Sequence, residues 1–272
     1  MSDAGHEQGE EPPPDLSTPG VHPSVSHALG NMRDQLGHLE RLVGADVASA
    51  GRHFEPAWLK AHEGENRLPV AGVVAVAIGL QVALPAKYSF HPTWLLPSLT
   101  GVLAVGLSAA NPTRITRTSR AIRSASIALV AVASLANGWS AALLARAILD
   151  QHSGNKPISL LGTGGAIYLT NIIVFALWYW EWDRGGPVAR AQALRPYPDF
   201  LFPQMTAPEL APRDWRPSFF DYAYLSFTNA TAFSPTDTLP MAVWAKMLMA
   251  AQSAVALVTV ALVVSHAVNI LQ

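Results

Sequence analysis

The chain has 272 residues, of which 50% are apolar and 14% charged, with no cysteine and a net charge of −1. Five long uncharged runs cover 117 of these residues: 68–86, 88–113, 124–145, 157–180 and 247–272. About 20 apolar residues of helix cross a hydrocarbon core of roughly 30 Å, so the pattern predicts an all-α integral membrane protein. It argues against a soluble globular enzyme, a nucleic-acid-binding protein and a disulfide scaffold.

The N-terminal segment, residues 1–67, differs from the rest because it holds 11 of the 19 acidic residues. Residues 1–24 contain five prolines, and we expect them to be disordered. Residues 24–50 are predicted to form a helix with one apolar stripe, made of Met32, Leu36, Leu39 and Val43. The stripe fits either a helix that packs on the protein's own loops or a short coiled coil or membrane-surface helix.

Residues 68–182 are predicted to form a four-helix transmembrane part. The expected helices cover residues 68–84, 93–110, 124–149 and 158–180. Small residues at 162–165 in the fourth helix, Gly-Thr-Gly-Gly, predict a close approach of another helix.

The orientation in the membrane follows from the loop at 110–123, which contains no acidic residue. Its four arginines are Arg114, Arg117, Arg120 and Arg123. The positive-inside rule places this loop, and with it the N-terminus, on the cytoplasmic side of a bacterial inner membrane. The spacing of three residues is also that of a voltage-sensor helix, but we favour an anchor that contacts anionic lipid headgroups.

A proline-rich cytoplasmic loop is predicted at 183–217, because seven prolines there prevent a long helix. The fourth helix ends in an aromatic cluster that suits the headgroup interface. Glu181 and Asp183, next to this cluster, are expected to lie in water.

The C-terminal part, residues 218–272, combines a short polar stretch with the last long helix. The 15 uncharged residues at 222–236 include six serine, threonine or asparagine side chains, which would need partners at membrane depth. A half-helix that enters the membrane and returns as a loop satisfies them, which makes five long transmembrane helices in all. The alternative is a short sixth transmembrane helix.

This part resembles the pore-loop and inner-helix unit of two-transmembrane potassium channels. Residues of that pattern stand here without a gap at Ser226, Ala230, Thr231, Asp237, Pro240 and Trp244. The filter itself differs, because residues 232–236 read Ala-Phe-Ser-Pro-Thr and both filter glycines are absent. The resemblance therefore implies the scaffold and not a potassium filter.

The whole chain also resembles a group of uncharacterised polytopic bacterial inner-membrane proteins. The resemblance rests on the aromatic end of the fourth helix at 178–187, on residues 199–203 and on the segment at 221–228. It implies no established activity.

We therefore expect a weakly selective cation channel, with no cofactor, metal site or catalytic residues, assembled as a homotetramer. The candidate pore-lining residues are Thr228, Asn229, Thr231, Phe233, Ser234, Thr236 and Asp237. Phe233 would form a hydrophobic constriction, and Asp237 would favour cations. The alternative is a non-conducting membrane scaffold that binds a cytoplasmic partner through residues 1–67.

Overall fold

The computed structural model describes residues 32–40, 56–110, 114–115, 119–149, 157–231 and 237–271. The chain divides into two units, Met1–Phe54 and Glu55–Gln272. In the first unit, residues 32–40 form helix α1. The rest of the predicted helix at 24–50 and the predicted disordered segment at 1–24 lie outside the described residues.

The second unit is mostly helical. Its helices are α2 (Leu68–Ala83), α3 (Leu95–Ala110), α4 (Arg120–Leu149), α5 (Pro157–Trp182), α6 (Pro187–Ala191), α7 (Pro203–Thr206), α8 (Phe219–Thr231) and α9 (Val243–Leu271). Four two-residue strands form two antiparallel pairs. They are β1 (Glu65–Asn66) with β2 (Arg114–Ile115), and β3 (Phe200–Leu201) with β4 (Leu239–Pro240).

Three of the described helices are long and apolar enough to cross a membrane, which is consistent with the predicted all-α membrane protein. They cover Arg120–Leu149, Ser159–Gly185 and Val243–Ser265. The first two helices of the bundle are shorter than a membrane-length helix, because α2 and α3 have 16 residues each. At 1.5 Å per residue, each is about 24 Å long.

The uncharged runs overstate the lengths of α2 and α3 because an uncharged residue need not be helical. Pro85 restricts the residue before it, and Leu84 is accordingly extended. The second run begins at the last residue of a 3-10 turn, Ala86–Tyr88, and continues through several turn residues, so α3 starts only at Leu95.

Helix α5 is the centre of the bundle. It packs against α2, α4, α8 and α9. Half of its membrane-length window is buried, compared with 22% for α9. The predicted close approach at the glycines is confirmed, since a Cβ added to Gly164 of α5 would lie 2.5 Å from Cγ2 of Val263 in α9.

Candidate functional site

Helix α8 runs antiparallel to α5. Near the start of α8, the Tyr222 hydroxyl donates a hydrogen bond to Oδ2 of Asp183, just beyond the end of α5, at 2.6 Å. One turn later, the Ser226 hydroxyl donates to the carbonyl of Ile172, at 2.7 Å. Later residues of α8 therefore contact earlier residues of α5. Helix α8 starts at the end of the bundle where α5 finishes.

Helix α9 starts at that same end. The Trp244 ring lies 5.4 Å from that of Trp182, and its Nε1 donates to Oδ1 of Asp199 at 3.2 Å. The preceding strand β4 pairs with β3, so the chain is back at the starting end by Leu239. The 13 residues of α8 advance about 20 Å, a distance that the seven residues after Thr231 can cover when extended.

Helix α8 is therefore a half-helix from which the chain returns to the end where it began. The predicted half-helix with a returning loop requires α8 and α9 to begin at the same end. A short sixth transmembrane helix would instead have the last helix start at the opposite end of the bundle.

A polar seam joins the inner face of α8 to α5 and α9. The Gln252 Oε1 accepts hydrogen bonds from the Tyr179 hydroxyl at 2.6 Å and from Nδ2 of Asn229 at 2.8 Å. Its Nε2 donates to the Ser226 hydroxyl at 2.7 Å, and the Ser253 hydroxyl donates to the Asn229 carbonyl at 3.1 Å. Asn229, a predicted pore-lining residue, thus has its hydrogen bonds inside one subunit.

Two other predicted pore-lining residues, Thr228 and Thr231, make hydrogen bonds to backbone carbonyls within α8. The Thr228 hydroxyl donates to the Tyr224 carbonyl and the Thr231 hydroxyl to the Thr228 carbonyl, each at 3.0 Å. Asp237 is exposed. Phe233, Ser234 and Thr236 lie outside the described residues.

The outer face of α8 is aromatic. Phe220, Tyr224 and Phe227 follow one another at spacings of four and three residues, and they are 66%, 60% and 51% exposed. Such a face suits lipid or another subunit rather than a water-filled path.

The predicted arginine anchor does not form one helical stripe. Arg114 lies in β2 and forms an ion pair with Glu63 at 3.4 Å, whereas Arg120 and Arg123 lie in the first turn of α4. Arg117 lies outside the described residues. A voltage-sensor helix needs these arginines on one continuous helix, so the arrangement of the three described arginines argues against it.

The expectation that Glu181 and Asp183 lie in water is wrong, because they are only 4% and 0% exposed. The segment after α5 is also not a surface loop at its start, since Arg184 and Arg190 are 1% and 3% exposed. Prolines stop a long helix there, but short elements fold back onto the bundle and bury the charges.

Arg190 is at the centre of this buried charge cluster. Its Nε and Nη2 lie 2.9 and 2.8 Å from Oε1 of Glu65, and its Nη1 donates to the carbonyls of Trp180 and Asp183 at 2.6 and 2.9 Å. Burial by itself would lower the pKa of Arg190, but Glu65, Tyr222 and Asp183 outweigh it and raise that pKa. Arg190 is therefore a permanent cation that joins β1 to the end of α5.

Asp183 joins the end of α5 to two further elements, α8 and β3. Besides the Tyr222 hydroxyl, its carboxylate accepts hydrogen bonds from the amides of Asp199 and Phe200, at 3.0 and 3.3 Å. Burial raises the pKa of Tyr222 well above its usual range, so its hydroxyl remains a donor at neutral pH. The start of α8 is thus fixed to the end of α5 and to β3.

A tight turn after α5 makes the charge cluster possible. Arg184, Gly185 and Gly186 have φ angles of 52°, 85° and 97°, and Pro187 then opens α6. A Cβ at position 186 would lie 2.8 Å from the Glu181 carbonyl, so glycine is required there. The turn buries Arg184, whose guanidinium then donates to backbone carbonyls of distant segments.

Sequence reasoning missed this cluster because its partners are far apart in the chain. Arg190 and Glu65 are separated by 125 residues. The one local signal was the sequence Asp-Arg-Gly-Gly-Pro at 183–187, whose adjacent glycines indicate a turn directly after a long apolar helix.

No family model, curated protein or solved structure matches the chain.

Proposed function

We propose that this protein is a multi-pass bacterial inner-membrane protein whose half-helix unit, α8 and α9, forms a weakly selective cation path in a homotetramer. The main support is that α8 and α9 begin at the same end of the bundle, with the polar segment at 232–238 between them. Non-helical backbone at membrane depth is tolerated where it is buried or lines water. A returning loop of this kind therefore favours a path.

The proposed path runs past the C-terminal end of α8. The last carbonyls of a helix carry partial negative charge, which favours a cation beyond Thr231. Asp237, which is exposed, adds a full negative charge at the mouth. Phe233 supplies the constriction, and its side chain sets the resting conductance.

Cation flux into liposomes tests this proposal directly. Purified protein in liposomes should admit potassium faster than protein-free liposomes, and Phe233→Ala should increase the rate severalfold. Asp237→Asn should lower it, whereas Asp214→Asn, in an exposed loop, should leave it unchanged. Flux no greater than that of protein-free liposomes, or a strictly monomeric particle in native mass spectrometry, would contradict the proposal.

The proposed topology has five crossings, with the N-terminus in the cytoplasm and the C-terminus outside. A reporter that is active only outside the cytoplasm should be active when fused after Gln272 and inactive when fused before Met1. A C-terminal fusion that is expressed normally but inactive would place the C-terminus in the cytoplasm. That result would contradict the half-helix topology.

A specific observation also favours the second candidate, a scaffold that binds a cytoplasmic partner through residues 1–67. In α1, the side chains of Met32, Leu36 and Leu39 form an apolar stripe and are 57%, 55% and 56% exposed. An apolar stripe of this kind can bind a partner helix. Replacing all three by serine should abolish partner capture without changing ion flux.

A further inference from the structure

A cavity of about 350 Å³ lies among α2, α3, α4 and α5. Most of its wall is aliphatic, including Val74, Ile78, Leu129 and Val130. This volume is in the range of small-ligand pockets and is much larger than the volume of one water molecule. Pro187 and Val188 of α6 complete the lining, to which neither α8 nor α9 contributes a described residue.

The cavity opens sideways on the surface of the bundle. Ala75 of α2 and Val105 of α3 both line it, and both are exposed. Val105 is 70% exposed. Because α2 and α3 belong to the apolar bundle, a ligand would enter through this opening from the lipid side.

Polar groups converge at one end of the cavity. Arg67 precedes α2, Arg123 lies in the first turn of α4 and Glu181 in the last turn of α5, and all three line the cavity. Within the described part of the chain none of them forms an ion pair. Arg67 donates only to the Ser108 hydroxyl, at 3.3 Å, and Arg123 donates to the carbonyl of Gly185.

Two guanidinium groups and one carboxylate leave one net positive charge beside an aliphatic wall. Partial burial lowers the pKa of Arg67, because desolvation disfavours its charged form. A phosphate group is a good partner for arginine because the guanidinium can donate two parallel hydrogen bonds to it.

We propose that this cavity is a binding site for an anionic phospholipid, which inserts an acyl chain along the aliphatic wall and places its phosphate at Arg67 and Arg123. The side opening provides the entry, and the net charge selects an anionic over a zwitterionic headgroup. This site is separate from the proposed cation path, so each can fail without the other.

Native mass spectrometry of the detergent-purified protein, titrated with phosphatidylglycerol, tests the site. We expect one tightly bound phosphatidylglycerol and at least about fivefold weaker binding of phosphatidylcholine, because the net positive charge of the site repels the choline cation although the phosphate contact is kept. Soluble glycerol phosphate, which has no acyl chain, should not displace the lipid. Equal binding of the two lipids, or displacement by glycerol phosphate, would overturn the proposal.

Two pairs of variants separate the headgroup from the chain. Arg67→Gln should weaken phosphatidylglycerol binding about tenfold, whereas Arg213→Gln, at an exposed position outside the cavity, should not. Gly101→Leu fills the cavity from α3, where an added Cβ meets nothing within 4 Å, and should remove the bound lipid. Gly106→Leu is the control, because position 106 is equally open but does not line the cavity.

The sign of the effect at Glu181 identifies the charge of the ligand. For an anionic lipid, Glu181→Gln removes a like charge and should strengthen binding. Weaker binding of phosphatidylglycerol by this variant, or unchanged binding by Gly101→Leu in a protein that elutes as a single folded species, would refute the assignment.

Discussion

The two ends of the bundle are held together in different ways. At the end where α5 finishes, buried charges and hydrogen bonds connect segments that lie far apart in the chain, as between Arg190 and Glu65. At the opposite end, α4, α5 and α9 meet through an apolar cluster that includes Leu144, Ile167 and Val263. The stability of the first end depends on specific charged and hydrogen-bonding partners. The stability of the second depends on how closely its apolar side chains pack.

This difference has an energetic consequence. A buried charge that loses its partner is left uncompensated, which costs more than the loss of one apolar contact. A tightly packed apolar contact responds instead to added volume. Substitutions that remove a partner should therefore act mainly at the first end, and substitutions that add a methyl group should act mainly at the second.

The largest effect is expected from Arg190→Leu. It leaves the Glu65 carboxylate and the carbonyls of Trp180 and Asp183 without their donor, and should lower the free energy of unfolding by about 3–5 kcal/mol. Unfolding in detergent micelles, followed by circular dichroism, measures this change. The control is Arg213→Leu, at an exposed position, and equal losses for both variants would contradict the role given to the cluster.

Tyr222→Phe should have an intermediate effect. It removes the hydroxyl that donates to the buried Asp183 carboxylate, and should cost about 2 kcal/mol in the same measurement. Tyr224→Phe is a matched control on the same helix, because Tyr224 is 60% exposed. A loss of stability in Tyr224→Phe as large as that in Tyr222→Phe would show that the buried hydrogen bond is not the cause.

The smallest effect is expected from Gly164→Ala, at the apolar end. The added methyl group meets Val263, and this overpacking should exceed the gain in helix propensity by about 1 kcal/mol. Gly165→Ala should be neutral or stabilising, because a Cβ there meets nothing within 4 Å. Combining Gly164→Ala with Val263→Ala should cost less than the sum of the two single changes, and strict additivity would mean that the contact is absent.

The helical elements of the bundle could be predicted because apolar length is a local property. Helix α5 ends two residues after its uncharged run, and α4 extends four residues beyond its run at each end. The expected helices 68–84 and 93–110 match α2 and α3 to within two residues, although the uncharged runs continue through Pro85 and the turn before Leu95. The position of α8 could also be anticipated, since its polar side chains could not face lipid.

The inner surroundings of the site could not be predicted in the same way. Asn229 was expected to line a pore, but it donates to the Met249 carbonyl and to Oε1 of Gln252, both in α9. This choice of partners depends on how α8 is rotated about its own axis against its neighbours. Asp183 was expected in water because acidic residues at a helix end usually are exposed. Its burial depends on Tyr222, 39 residues away.

The sequence by itself determined that this is an all-α chain with helices of membrane length, because burial in lipid requires long apolar segments that satisfy their own backbone hydrogen bonds. Only the tertiary structure decided that α8 starts beside α9, that the charges after α5 are buried, and that Arg67, Arg123 and Glu181 share one cavity. These features arise from contacts between residues tens of positions apart. Their physical reason is that a buried charge or polar group must find a partner, and the fold brings that partner from elsewhere in the chain.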